Sequence, residues 1–244
     1  MFVGLTGLGQ PGFDKLFKIR PVMDSLLKTF QSIPMEENVS IDEQMCATKI
    51  RHHLKQYMSD KPNKWRFKLF LLCGVSGFTY NFEVYSGQEN DLLARAEREP
   101  DLGASSNIVV RLARLIPRNK NYKLYFDNYY TSVPLIVYLY NEGIFSLETV
   151  RRNSIRDCKL PLEVVYKKTV RGSSEEYVAE INGVSASSVI WKNNKCVTLL
   201  STQCGIELVF LLENSFSRIS REISKFKFSF LEKNYFFSRI LFHR

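Results

Sequence analysis

Two period-two runs around a short glycine-containing turn constrain this chain most. In the first, Trp65, Phe67, Leu69 and Leu71 alternate with Arg66, Lys68, Phe70 and Leu72; the second carries Phe78, Tyr80, Phe82 and Val84. Between them lies Gly74-Val75-Ser76-Gly77. Side chains of a strand alternate between faces, so two such runs about a glycine turn predict a β-hairpin with one thoroughly apolar strand. A strand apolar on both faces belongs inside a sheet, and a sheet needs helices or a second layer to cover it.

The flanking sequence supplies both strands and helices. Between residues 14 and 30, Leu16, Phe17, Ile19, Val22, Met23, Leu26, Leu27 and Phe30 fall at mostly three- and four-residue spacings, which predicts a helix with Pro21 as a kink. A second helix is predicted from Asn107 to Ile116, capped by Ser105, Ser106 or Asn107 and stopped by Pro117. Residues 122–130 read as a buried strand, Thr131 and Ser132 before Pro134 as the start of a third helix to Asn141, and Glu142-Gly143 as its stop. Another strand follows over 146–150, and short strands recur between Tyr166 and Thr202, read as a β-rich insertion rather than more of the same layer. The fold class expected is α/β, a mixed sheet flanked by helices.

Two aspartates sit in these apolar stretches, Asp42 within residues 39–45 and Asp127 at the end of the strand over 122–130. Carboxylates delivered by neighbouring strands hold divalent metal for phosphoryl transfer. An Asp-Asn pair between a strand and a helix is equally a turn and capping device. Glu43 falls on the opposite face of a regular strand and is read as structural.

Composition narrows the remaining classes. In 244 residues, 45% are hydrophobic and the formal net charge is +9, so the chain can build a core and carries a basic excess. The excess is concentrated: residues 49–68 hold Lys49, Arg51, Lys55, Lys61, Lys64, Arg66 and Lys68 against Asp60 alone. That stretch is either a phosphate-binding footprint or a solvated charged face. Trp65 and Tyr57 within it could stack on a base, with Trp65 read more readily as core. The five cysteines are scattered without a CxxC pair and the three histidines make no ligand spacing, which gives neither a zinc site nor a disulfide framework. No apolar run nears the ~20 residues that cross a bilayer and no signal peptide is apparent, so a soluble, non-membrane protein is expected.

Six segments in order, SIDEQM (40–45), KQYMSDKPNKWRFKLF (55–70), NFEVYSG (81–87), LYFDNYYTS (124–132), TVRRN (149–153) and WKNNKCVTLLST (191–202), resemble the piggyBac transposase family and its domesticated, transposable-element-derived relatives. FDKLFKIRP (13–21) is similar to the family's segment before its catalytic domain. The resemblance implies a ribonuclease H-like core in which three aspartates bind two Mg²⁺ or Mn²⁺ ions for DNA strand cleavage and joining. Asp42 matches the first of these and Asp127 the second. It also implies a DNA partner, nuclear localisation and a homodimer, and it gives the basic stretch a DNA-binding role near the metals.

The chain departs from the family where the third aspartate is due. The family continues to a YNxxMGGVD-type motif, whereas no aspartate follows Asp157 here and residues 204–244 hold eight of the eighteen Phe. Glu213, Glu222 and Glu232 are the acids in that tail that could substitute, in a spacing and context that do not match. The expected organisation is an N-terminal helical segment (1–37), a partial ribonuclease H-like core (38–160), a β-rich insertion (161–203) and a divergent Phe/Ser/Lys-rich tail (204–244) from a foreign reading frame or read-through, with the C-terminal end of the core incomplete. The functional expectation is a transposase remnant without catalysis and with residual DNA binding. Two alternatives stand beside it, an active metal-dependent nuclease using an unrecognised third acid, and a domesticated DNA-binding or chromatin module.

Overall fold

A computed structural model describes residues 15–87 and 95–203. The hairpin forms as its alternation predicts: β3 (Trp65–Gly74) pairs antiparallel with β4 (Thr79–Val84). From Phe67 onward β3 is covered on both faces, Phe70 and Leu72 on one side and Phe67, Leu69, Leu71 and Cys73 on the other. Such a strand has to be central, and its second edge is taken by β1 (Asn38–Ala47), antiparallel from Val39↔Gly74 to Ala47↔Arg66 without a bulge. Two-residue β2 (Gln56–Tyr57) pairs with the start of β3.

Beyond β1 the direction changes. β5 (Lys123–Phe126) runs parallel to β1, and β6 (Phe145–Thr149) runs parallel to β5. The order β4-β3-β1-β5-β6, two antiparallel pairs followed by two parallel ones, is the mixed ribonuclease H-like sheet the sequence led us to expect. The parallel steps need crossovers, and helices supply them. α2 (Ala104–Leu112) precedes β5, and α3 (Val133–Asn141) joins β5 to β6. Their apolar sides meet Val39, Ile41, Phe70, Leu72, Leu124 and Phe126 in the larger core. α1 (Arg20–Gln31) lays Met23, Leu26, Leu27 and Phe30 on the opposite face, against Phe67, Leu69, Phe82 and Val84.

Several expected boundaries move. Pro21 falls in the first turn of α1, where its missing N–H costs no hydrogen bond, so it starts the helix rather than kinking it. α2 begins three residues before Asn107 and has no side-chain cap: Asn107 instead accepts from Leu102 N and donates to Asp101, and Ser106 donates to the Tyr130 carbonyl. β5 stops at Phe126, because a turn follows at once. Ser132 does cap α3, accepting from Leu135 N at 3.3 Å. Gly143 stops it at φ +73°, where an added Cβ would lie within 2.5 Å of the Asn119 backbone N.

The largest difference concerns residues 161–203. After a one-turn helix, α4 (Glu163–Tyr166), three strands form as expected: β7 (Ser174–Ile181), β8 (Val184–Lys192) and β9 (Cys196–Ser201). They extend the main sheet rather than make a separate layer, because β9 pairs antiparallel with the outer edge of β6, Leu147↔Ser201 to Thr149↔Leu199. An unpaired strand edge is a ready template, and the hairpin-forming segment covers it. The tail at 204–244, with Glu213, Glu222 and Glu232, lies outside the described residues. No helix among the described residues is long and apolar enough to cross a membrane.

Candidate active site

Asp42 and Asp127 both lie just past the same end of the parallel ladder that joins β1 to β5. The ladder reads Asn38↔Lys123, Val39↔Leu124 and Ser40↔Tyr125 and ends there; Asp42 and Asp127 each follow two positions later, Asp127 in the turn after β5. Neighbouring strands lie about 4.8 Å apart. Alternation with Val39 and Ile41 puts Asp42 on the side of β1 away from α2 and α3, and the charges of Asp42 and Asp127 both reach the Tyr130 phenol.

The sequence of β1 explains why the first acid is not buried. Val39 and Ile41 are covered by the α2–α3 core, while Gln44 and Cys46 are covered on the other face. The buried positions thus change parity across Asp42-Glu43 although the ladder is continuous. At that crossing neither face is sealed: Asp42 is half-buried and Glu43 exposed. Asp127 is exposed as well.

Each aspartate is oriented by backbone. Asp42 Oδ1 accepts from Glu43 N at 2.8 Å, and Asp127 Oδ1 accepts from Tyr129 N at 2.8 Å. The Asp127 carbonyl accepts from Tyr130 N and from the Thr131 hydroxyl. Asp127 is thus a turn-forming residue, as the Asp-Asn pair between a strand and a helix predicts. Burial pushes the Tyr130 phenol far above its ordinary value, with Glu43, Asp42 and Asp127 adding negative charge around it. On the other side of Asp42, burial pushes the Cys73 thiol up to about 12, opposed by its hydrogen bond to Thr79 and reinforced by Asp42. A thiol held neutral is no nucleophile.

Glu43 takes the α2–α3 face, where Lys68 Nζ lies 3.3 Å from Oε2. The same ammonium stands 4.8–5.5 Å from the rings of Phe70, Tyr85 and Tyr129. This cluster ties β3 to the turn carrying Asp127 and was not visible in the sequence, since its members lie up to 86 residues apart, as the numbers of Glu43 and Tyr129 give.

The basic stretch divides. Lys49, Arg51, Lys61 and Lys64 are exposed. Lys55 Nζ sits 4.2 Å over the Trp65 ring, and Arg66 donates to Asn63 O and Met45 O. Lys68, whose side chain is 15% exposed, turns to Glu43 instead. Trp65, read above as core, is 43% exposed: the covered part of β3 begins at Phe67, and two-residue β2 is too short to bring a layer over it.

One acid went unnoticed in the sequence. Glu148 on β6 is 1% exposed, and neither carboxylate oxygen has a hydrogen-bond partner among the described residues. Burial raises its pKa well above the carboxylate range, with the nearby Ser146 hydroxyl opposing. Since Glu148 pairs with Phe126, it shares the α2–α3 face and is turned away from Asp127. Beside Asn128 an open cleft of about 690 Å³ is lined by Thr149, Arg151, Asn153, Glu163 and Cys196, among others.

As for metal, two aspartates are hard oxygen donors of the kind Mg²⁺ or Mn²⁺ takes while keeping several waters. The chemistry of the donors suits such an ion, which Asp42 and Asp127 would hold. Among the described residues no group of three or more His, Cys, Asp or Glu is placed to hold one.

A family model described as Transposase IS4 matches residues 6–226. Human PiggyBac transposable element-derived protein 3 is 27% identical over 217 residues, covering 87% of this chain and 34% of that protein. Human PiggyBac transposable element-derived protein 2 is 30% identical over 203 residues, covering 81% and 33%. The chain thus spans about a third of the length of these two curated relatives. A piggyBac transposase, solved by cryo-EM in a synaptic complex with hairpin DNA, superposes with a TM-score of 0.61 at 24% identity over 78% of this chain and 38% of that one. That likeness speaks for the fold.

Proposed function

This chain belongs to the piggyBac-type Transposase IS4 family, and we propose that it is a transposase-derived DNA-binding protein that retains two of the three metal-binding aspartates and does not cut DNA by itself. The observation that supports this reading is the parallel β1–β5 ladder, past whose end Asp42 and Asp127 both stand, with the charges of both reaching the Tyr130 phenol. A divalent ion there would polarise a phosphate oxygen and lower the pKa of a bound water. Asp42 and Asp127 would hold it, with the Glu43 and Tyr129 N–H groups orienting their carboxylates. Glu43 does not make a third ligand in this reading, since it faces Lys68. Glu148 does not either, since it is sealed on the other side of the sheet.

DNA binding draws support from Lys49, Arg51, Lys61 and Lys64, exposed on the β1–β3 side of the molecule, and from the synaptic complex with hairpin DNA in which the related transposase was solved. Each neutralised phosphate releases counterions, so affinity for duplex should fall steeply with salt. A nuclear location belongs to the same proposal.

The deciding experiment incubates the purified chain with transposon-end DNA and Mg²⁺ or Mn²⁺, with Asp42→Asn and Asp127→Asn as controls. Salt-sensitive binding without nicking is expected. Nicking abolished by either substitution would replace this reading with an active metal-dependent nuclease, and absence of DNA binding would remove it.

A further inference from the structure

The aromatic residues of the basic stretch form a second kind of surface. Tyr57 and Trp65 are direct partners across the β2–β3 pair, their rings 5.0 Å apart at 66°. Tyr57 is 54% exposed and Trp65 43%. Large rings held open where a two-residue edge strand meets the exposed start of β3 contribute little to the core, and here both are attended by cations. Lys55 Nζ lies 4.2 Å from the Trp65 centroid and Lys64 Nζ 6.0 Å from that of Tyr57. Lys61 and Arg51 are exposed on the same stretch, and Asp60, the one acid in it, already accepts from Ser59.

Charge selects the occupant. A cationic ligand, the usual guest of an aromatic cage, would meet Lys55 and Lys64 already there. An apolar peptide would leave both ammonium groups without a counter-charge. A nucleotide satisfies both halves, with a flat π face for the rings and a phosphate for the lysines. A duplex keeps its bases stacked inside, so the rings reach a base only where the strand is unpaired. We infer that Tyr57 and Trp65, flanked by Lys55 and Lys64, form a stacking platform for an unpaired nucleic-acid base. This rests on the DNA-binding reading above and adds to it a preference for single-stranded or frayed DNA. Trp65 lies six positions along β3 from Leu71, the partner of Asp42, or about 20 Å at the rise of a strand. The platform therefore contacts flanking DNA rather than a phosphate beside Asp42.

The full chain reports on this directly. It has two tryptophans, and Trp191 is 4% exposed, so fluorescence quenching on binding reads Trp65. Titration with short oligo(dT) is expected to quench it. By anisotropy of the labelled oligonucleotide, Trp65→Ala and Tyr57→Ala should each weaken binding about 5- to 150-fold, the range of a lost base stack, with duplex affinity changed less than about twofold. Both side chains are exposed, and unchanged melting curves would show that the variants fold. If oligo(dT) gives no quenching, or binds both variants as it binds the parent chain, the platform is overturned. Salt-sensitive duplex binding in that case leaves the DNA reading standing, whereas failure to bind either form removes both.

Discussion

Asp127 and Glu148 lie one residue apart in the register of two neighbouring parallel strands, yet they are opposite kinds of acid. Asp127 follows Phe126 out of β5 into solvent, where a backbone N–H meets its carboxylate. Glu148 pairs with Phe126 itself, inside the sheet and under the helices, with no hydrogen-bond partner among the described residues. The difference teaches that strand position alone does not make a metal ligand. What matters is whether the strand end leaves the carboxylate in water with a donor to orient it. Glu83 offers a third case, a carboxylate only partly covered, unlike Glu148, and clasped by Arg111 through bonds of 2.8 and 2.7 Å.

The comparison can be broken or sharpened by substitution. The largest effect is expected at the exposed pair. Groups that merely support a ligand cost about 10- to 100-fold in metal affinity, so Asp42→Asn with Asp127→Asn should lower Mn²⁺ affinity by at least about 100-fold in calorimetric titration. An unchanged affinity would move the metal site elsewhere.

Glu148→Gln should act the other way and stabilise the chain. The folded pKa of Glu148 is raised, so the native state holds its proton where the unfolded chain, with an ordinary value of about 4.3, has released it. Stability from this group is full below that ordinary value and is lost as pH rises toward the folded pKa. At neutral pH the variant should therefore gain about 1–3 kcal/mol, a Tm higher by roughly 2–4 °C per kcal/mol. Near pH 4 the gain should vanish. A pH-independent gain would mean that packing, not ionisation, is responsible.

Arg111→Met tests the clasped acid. Losing the two charge-assisted bonds to Glu83, which join α2 to β4, should cost about 1–3 kcal/mol in urea unfolding. A smaller step is Ser132→Ala, which removes the α3 cap just after the Asp127 turn and should cost about 1 kcal/mol, with Mn²⁺ affinity altered less than by the aspartate changes.

Much of the fold could be read before any coordinates. The hairpin, β1, the cap at Ser132 and the stop at Gly143 follow from short-range patterns, because alternation, capping and a positive-φ glycine are local properties. The boundaries of α2 and β5 shifted because Asn107 and Ser106 spend their side chains on tertiary partners and because the Asp127 turn begins at once. Trp65 was misread for a related reason: strand propensity does not say where the covering layer stops.

By itself the sequence determined which residues alternate, which helices start and stop, and that two aspartates stand in strand-like settings within motifs resembling a transposase family. Only the tertiary structure decided that those aspartates stand past the same end of one parallel ladder, that Glu43 turns to Lys68, that Glu148 is sealed, and that β9 closes onto β6. The physical reason is separation along the chain. Register between β1 and β5 joins residues 85 positions apart, and no local pattern specifies a pairing between segments that distant.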